Sequence, residues 1–105
     1  MAEERWIDVL AVDDVPVDDA IGITPGGVDM ALYRVDGKVF ATGNVCTHGA
    51  ARLCDGFLDG YTIECPLHQG RFDIRSGQAL SEPAVDPLPT YAVRIEGKRV
   101  YVKVE

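Results

Sequence analysis

Residues 44–73 read NVCTHGAARLCDGFLDGYTIECPLHQGRFD, and within them lie Cys46-Thr47-His48 and Cys65-Pro66-Leu67-His68. Both histidines of the chain and two of its three cysteines fall in these two motifs, which are separated by the 16 residues from Gly49 to Glu64. Each motif supplies one soft thiolate and one imidazole. Two such motifs make a matched set of four metal donors. Buried thiols and lone histidines that serve only packing have no reason to pair in this way.

Several chemistries fit four such donors. A structural zinc ion takes two thiolates and two imidazoles in a tetrahedron. Zinc-finger spacing, however, pairs Cys with Cys and His with His. Cys-x-His followed by Cys-x-x-His lets both thiolates bind one iron and both imidazoles the other iron of a [2Fe–2S] core. Nucleophilic cysteine catalysis is less well supported, because no orienting third residue or substrate pocket is evident. Cys54 lies between the motifs without a partner cysteine and reads as a free or buried thiol, not a ligand.

Working outward, the flanks read as strands. Trp6–Leu10, Val28–Val35, Lys38–Ala41, Tyr91–Ile95 and Arg99–Val104 carry the apolar and alternating patterns of sheet segments. Asp36-Gly37 is a two-residue hairpin signal, and Glu96-Gly97-Lys98 closes a second hairpin. Asp13–Pro16 reads as a turn or a single helical turn. No stretch holds a helical period over three turns. The 11 glycines and 6 prolines punctuate short segments, as all-β architectures require. Residues 44–89 differ, being rich in Gly, Pro, Cys and His with weak periodicity; a site belongs there. Trp6, Phe40, Phe57, Phe72, Tyr91 and Tyr101 read as core and sheet residues. Asp55-Gly56 and Asp59-Gly60 read as turns between the motifs.

The 105 residues make one domain, 1–105. The net charge of −7 argues against nucleic acid and against an anionic membrane surface. It suits solubility, or steering toward a basic patch on a protein partner. No apolar run approaches the roughly 20 residues that span a bilayer. The acidic start, Met1–Arg5, lacks the pattern of an export signal, so a cytoplasmic protein is expected. An odd, small number of cysteines then speaks for metal ligation or free thiols over a disulfide framework.

Cys46-Thr47-His48-Gly49 and Glu64-Cys65-Pro66-Leu67-His68-Gln69-Gly70-Arg71-Phe72-Asp73 resemble the two cluster-binding loops of Rieske ferredoxins. The likeness is to the small ferredoxin components of bacterial aromatic-ring-hydroxylating dioxygenases, the naphthalene dioxygenase type in particular, and covers essentially the whole chain. The resemblance implies an all-β Rieske fold of three antiparallel sheets. Its β-sandwich base would carry a small cluster-binding lobe, about 44–89, made of two loops. It implies one Rieske-type [2Fe–2S] cluster, with Cys46 and Cys65 on the inner iron and His48 and His68 on the outer iron. Glu82-Pro83-Ala84 resembles the proline-containing loop that covers the cluster, and Pro66 would fix the backbone beside it.

With this ligand set the oxidised centre is formally neutral and the reduced one −1, which raises its potential above that of four-cysteine clusters. Rieske proteins of respiratory complexes carry a disulfide-forming cysteine in each loop, at positions matching Ala51 and Leu67, and a serine where this chain has Gly70. Fewer donors to sulfur imply a potential at the low end of the Rieske range, about −150 mV. The implied function is a one-electron carrier, not an enzyme. It would pass electrons from a flavin-containing NAD(P)H-dependent reductase to the Rieske centre of a terminal oxygenase, as a monomer meeting both partners transiently. Docking would occur where His48 and His68 emerge, near Gln69 and Leu67. A small Rieske subunit of another oxidoreductase, such as nitrite reductase, and a zinc-stabilised interaction module are the alternatives.

Overall fold

Asp36-Gly37 turns the chain as its composition requires. Both residues adopt left-handed backbone, with φ of 53° and 75°, the geometry of tight hairpin turns that match strand twist. The turn joins strand β3 (Met30–Val35) to β4 (Lys38–Gly43) in register from Val35↔Lys38 to Met30↔Gly43. In a computed structural model, which describes residues 5–47, 51–67, 69–81 and 86–104, this hairpin is the middle of the molecule.

Strand β3 is buried along nearly its whole length, and its alternation feeds two separate cores. Met30 and Leu32 point into one, with Val15, Val39, Val100 and Val102. Ala31, Tyr33 and Val35 point into the other, with Leu53, Ile63, Phe72, Ile74 and Leu88. The first core lies toward a three-stranded sheet of β1 (Trp6–Ala11), β11 (Arg99–Lys103) and β10 (Val93–Glu96), in that order. The middle sheet runs β2 (Ala20–Ile23), β3, β4, β9 (Thr90–Tyr91). The second core lies toward a four-stranded meander of β5 (Phe57–Asp59), β6 (Thr62–Glu64), β7 (Arg71–Asp73) and β8 (Ala79–Ser81). Every strand pairing within the sheets is antiparallel. Helical structure among the described residues is confined to short 3-10 turns, one of them at Val12–Asp14. The fold is therefore all-β, with the expected three antiparallel sheets.

Two expectations need correction. Tyr91–Ile95 is not one strand. Tyr91 pairs with Ala41 in the middle sheet, whereas Val93 pairs with Val102 in the outer one. The chain changes sheets at Ala92, whose carbonyl accepts from the Lys103 amide at 3.0 Å. An alternating pattern continues through such a crossing, because both sheets need apolar residues on their facing sides. Phe57 is not a core residue. It lies 65% exposed on the open face of the meander, level with Glu64 and Arg71, while Leu58, Ile63 and Phe72 form the row facing inward.

Candidate metal centre

Each cysteine of the two motifs opens a tight hairpin tip, and the two tips have the same length. In the first, Asn44 and Leu53 are joined by a 2.7 Å bond from the Leu53 amide to the Asn44 carbonyl. Val45 and Arg52 form an antiparallel bridge. The Cys46 amide then donates to the Ala51 carbonyl at 2.9 Å. In the second, β6 and β7 end at the Glu64↔Arg71 pair. The Cys65 amide donates to the Gly70 carbonyl at 2.8 Å, and the Gln69 amide returns to the Cys65 carbonyl at 3.1 Å. Gln69 takes left-handed backbone, φ 62°, to make that return. Both cysteines thus bond the carbonyl five residues on.

The two tips face one core. Cys46 is 3% exposed and Cys65 0%, and both belong to the buried cluster that holds Leu53, Ile63, Phe72 and Ile74. No disulfide involves any of the three cysteines. Two thiols brought from separate loops into a dry apolar wall match the soft-donor half of an iron–sulfur site, so the residues present fit the group. His48 and His68 lie outside the described residues, as does Glu82-Pro83-Ala84. Among the described residues, no three His, Cys, Asp or Glu side chains converge.

The tips are held against each other by a close backbone approach. A Cβ on Gly56 would stand 2.1 Å from the carbonyl oxygen of Glu64, the residue before Cys65. Gly56 is therefore more than the turn residue expected: it lets the first tip's trailing segment lie on the second. Beyond the tips, Thr47 donates from Oγ1 to the Asp86 carbonyl at 2.8 Å. Tyr33, on β3 beneath the tips, bonds Thr42 Oγ1 through its hydroxyl at 2.8 Å. Burial drives its phenol well above the usual tyrosine range, against the opposing pull of the Thr42 hydrogen bond.

On the outside, the tips enclose a depression of about 440 Å³ lined by Ala51, Arg52, Asp55, Pro66 and Leu67. Leu67 is 59% exposed there, and Val45 is exposed nearby. Ala51 and Leu67 share this depression without a cross-link. Cys54, half-buried, bonds Asn44 through both its amide and its sulfur. Asn44 and Asp29 brace the first tip without any signal in the sequence, because a polar residue that becomes buried through tertiary contacts has no local signature.

Several known proteins are similar to this chain. Residues 5–92 match the Rieske [2Fe–2S] domain. The ferredoxin component of the naphthalene 1,2-dioxygenase system of Pseudomonas aeruginosa is 54% identical over 99 residues, covering 94% of this chain and 95% of that protein. Among solved structures, the Sphingomonas yanoikuyae B1 ferredoxin superposes with a TM-score of 0.90 at 39% identity, over 96% of this chain and all of the other. The complex of reduced oxygenase and oxidised ferredoxin in carbazole 1,9a-dioxygenase contains a chain with a TM-score of 0.89 at 38% identity, covering 95% of this chain and 94% of that one.

Proposed function

The chain belongs to the Rieske [2Fe–2S] domain family, and we propose that it is the one-electron carrier between a flavin-containing NAD(P)H-dependent reductase and the Rieske centre of a terminal aromatic-ring-hydroxylating oxygenase. The observation that carries this reading is the pair of equal-length hairpin tips, each burying one cysteine in the same core. The whole-length identity to dioxygenase ferredoxin components supports it. In this reading Cys46, His48, Cys65 and His68 hold the cluster, within a lobe of about 44–89 on the single domain 1–105. Cys46 and Cys65 take the inner iron, His48 and His68 the outer.

When bound, the group supplies a one-electron couple. The chain's own residues do the rest. Leu53, Ile63, Phe72 and Ile74 keep water from the sulfurs. The Ala51 and Gly70 carbonyls hold the tips in shape. Leu67 and the depression beside it offer the apolar contact through which two partners dock in turn. The carrier works as a cytoplasmic monomer in this reading; among the described residues no helix is long and apolar enough to cross a membrane.

Metal and sulfide analysis of the purified protein, with visible and EPR spectra before and after dithionite, tests the proposal. Two irons and two acid-labile sulfides per chain are expected, with a red-brown colour and a rhombic EPR signal on reduction. Replacement of Cys65 by serine or His68 by alanine should abolish that spectrum. A colourless protein holding stoichiometric zinc, or a normal spectrum in both variants, would overturn it.

A further inference from the structure

Asn44 sits two residues before Cys46 with its side chain fully buried. A buried amide is costly unless its hydrogen bonds are made. Here they are. Nδ2 donates to Asp29 Oδ1 at 3.0 Å and to Cys54 Sγ at 3.3 Å, while Oδ1 accepts from the Cys54 amide at 2.9 Å. Its backbone is used as well, the amide donating to the Asp29 carbonyl at 3.1 Å and the carbonyl accepting from Leu53.

Asp29 receives the loop from both ends. The Oδ1 that accepts from Asn44 also accepts from Arg52 Nη2 at 3.4 Å. Arg52 is the residue after Ala51, where the tip closes. A third side is shut by β2: a Cβ on Gly22 would lie 3.0 Å from Cys54 Sγ and 3.2 Å from Asn44 Nδ2. The network thus ties the start and the end of the Cys46 tip to the middle sheet, and its one thiol, Cys54 Sγ, is taken up by Asn44 Nδ2.

We infer that Asn44, held by Asp29, is a positioning residue for the metal centre: it fixes where Cys46 presents its sulfur. The inference rests on Cys46 being a ligand as proposed above. Residues that orient ligands typically change metal retention by roughly 10–100-fold when replaced.

The test uses the full chain as purified with its metal. Three quantities are measured: the bleaching rate of the visible band in excess chelator, the EPR g-values after dithionite, and the thermal midpoint. Asn44→Asp places a second carboxylate against Asp29 and should accelerate bleaching roughly 10–100-fold with displaced g-values. The exchange Asp29→Asn with Asn44→Asp keeps the net charge and restores a donor–acceptor pair in reverse. It should return both rate and g-values most of the way to wild type. Val100→Ala, in the separate base core, should lower the midpoint while leaving rate and g-values alone.

Wild-type bleaching and g-values in N44D would overturn the inference. So would an exchange variant that fails to recover, or a V100A protein that bleaches as fast as N44D. If N44D does not load metal, normal loading of the exchange variant supports the inference and failed loading overturns it. A wild-type protein lacking the rhombic signal would instead overturn the ligand assignment, so the two failures are distinguishable.

Discussion

Truncating Leu67 to alanine removes the most exposed large apolar side chain among the described residues of the hairpin tips and leaves every proposed ligand in place. The side chain is 59% exposed in the isolated chain, so that fraction of it remains for a partner to cover. Fully burying a leucine stabilises by about 1.5–3 kcal/mol, and 59% of that is about 0.9–1.8 kcal/mol. Alanine keeps the β-carbon, which leaves about 0.7–1.3 kcal/mol to lose. That corresponds to a roughly three- to ninefold weaker association. The assay is steady-state turnover of the terminal oxygenase with the ferredoxin varied. KM for the ferredoxin should rise by that factor and kcat should hold. The visible spectrum, g-values and reduction potential of Leu67→Ala should match wild type, which separates a docking loss from a damaged centre. Leu67→Asp, which also places charge in the contact, should exceed the alanine effect. An unchanged KM in both variants would refute docking at this tip.

Ionic strength supplies a second check. Raising it from 0.01 to 0.15 M shortens the screening length from about 30 to about 8 Å. If the net charge of −7 steers the carrier to basic partners, kcat/KM falls severalfold over that range; a flat profile removes electrostatic steering. Tyr33 predicts an alkaline effect. Its folded pKa is raised, so its contribution to stability is whole below the unfolded value of about 10 and is lost as pH rises toward the folded one. Urea midpoints should therefore fall above about pH 10. Tyr33→Phe should start lower by about 1 kcal/mol and show a shallower fall; an equal fall in both proteins removes Tyr33 as the cause. Phe72 is fully buried under the tips, so Phe72→Ala should cost about 3–5 kcal/mol and Phe72→Leu far less. A denaturation midpoint indifferent to Phe72→Ala would contradict the core assignment.

What the sequence made legible follows from how local each signal is. The β3–β4 hairpin was readable because Asp36-Gly37 carries its own turn geometry. The two motifs stand out because the ligand chemistry proposed for them would demand rare residue types at short spacing. The meander β5–β8 was not readable. Its strands are three residues long, too short for alternation to stand out from turn composition. The break at Ala92 was hidden because sheet crossing preserves the apolar period. Phe57 was misplaced because an aromatic side chain carries no mark of which face it takes. Gly56 has the sequence context of any turn glycine, and only the fold sets the Glu64 carbonyl against it.

Two of the three positions expected to separate this chain from the respiratory branch, Ala51 and Gly70, are the ones that close its tips. Ala51 and Gly70 contribute their carbonyls to the Cys46 and Cys65 amides, and neither carries a side-chain thiol or hydroxyl. Where that branch is expected to strap its loops covalently and to direct a hydroxyl at sulfur, this chain relies on main-chain bonds and on the Asn44–Asp29 brace. Two properties follow together. A cluster held here would receive fewer donors at sulfur, which favours the oxidised form and gives the low potential expected from the resemblance. Without a covalent strap, metal binding would contribute directly to the lobe's stability, so loss of the centre should lower the thermal midpoint. The same economy leaves Leu67 free of a cross-link and open to solvent, which suits the proposed carrier's meeting with two partners in succession.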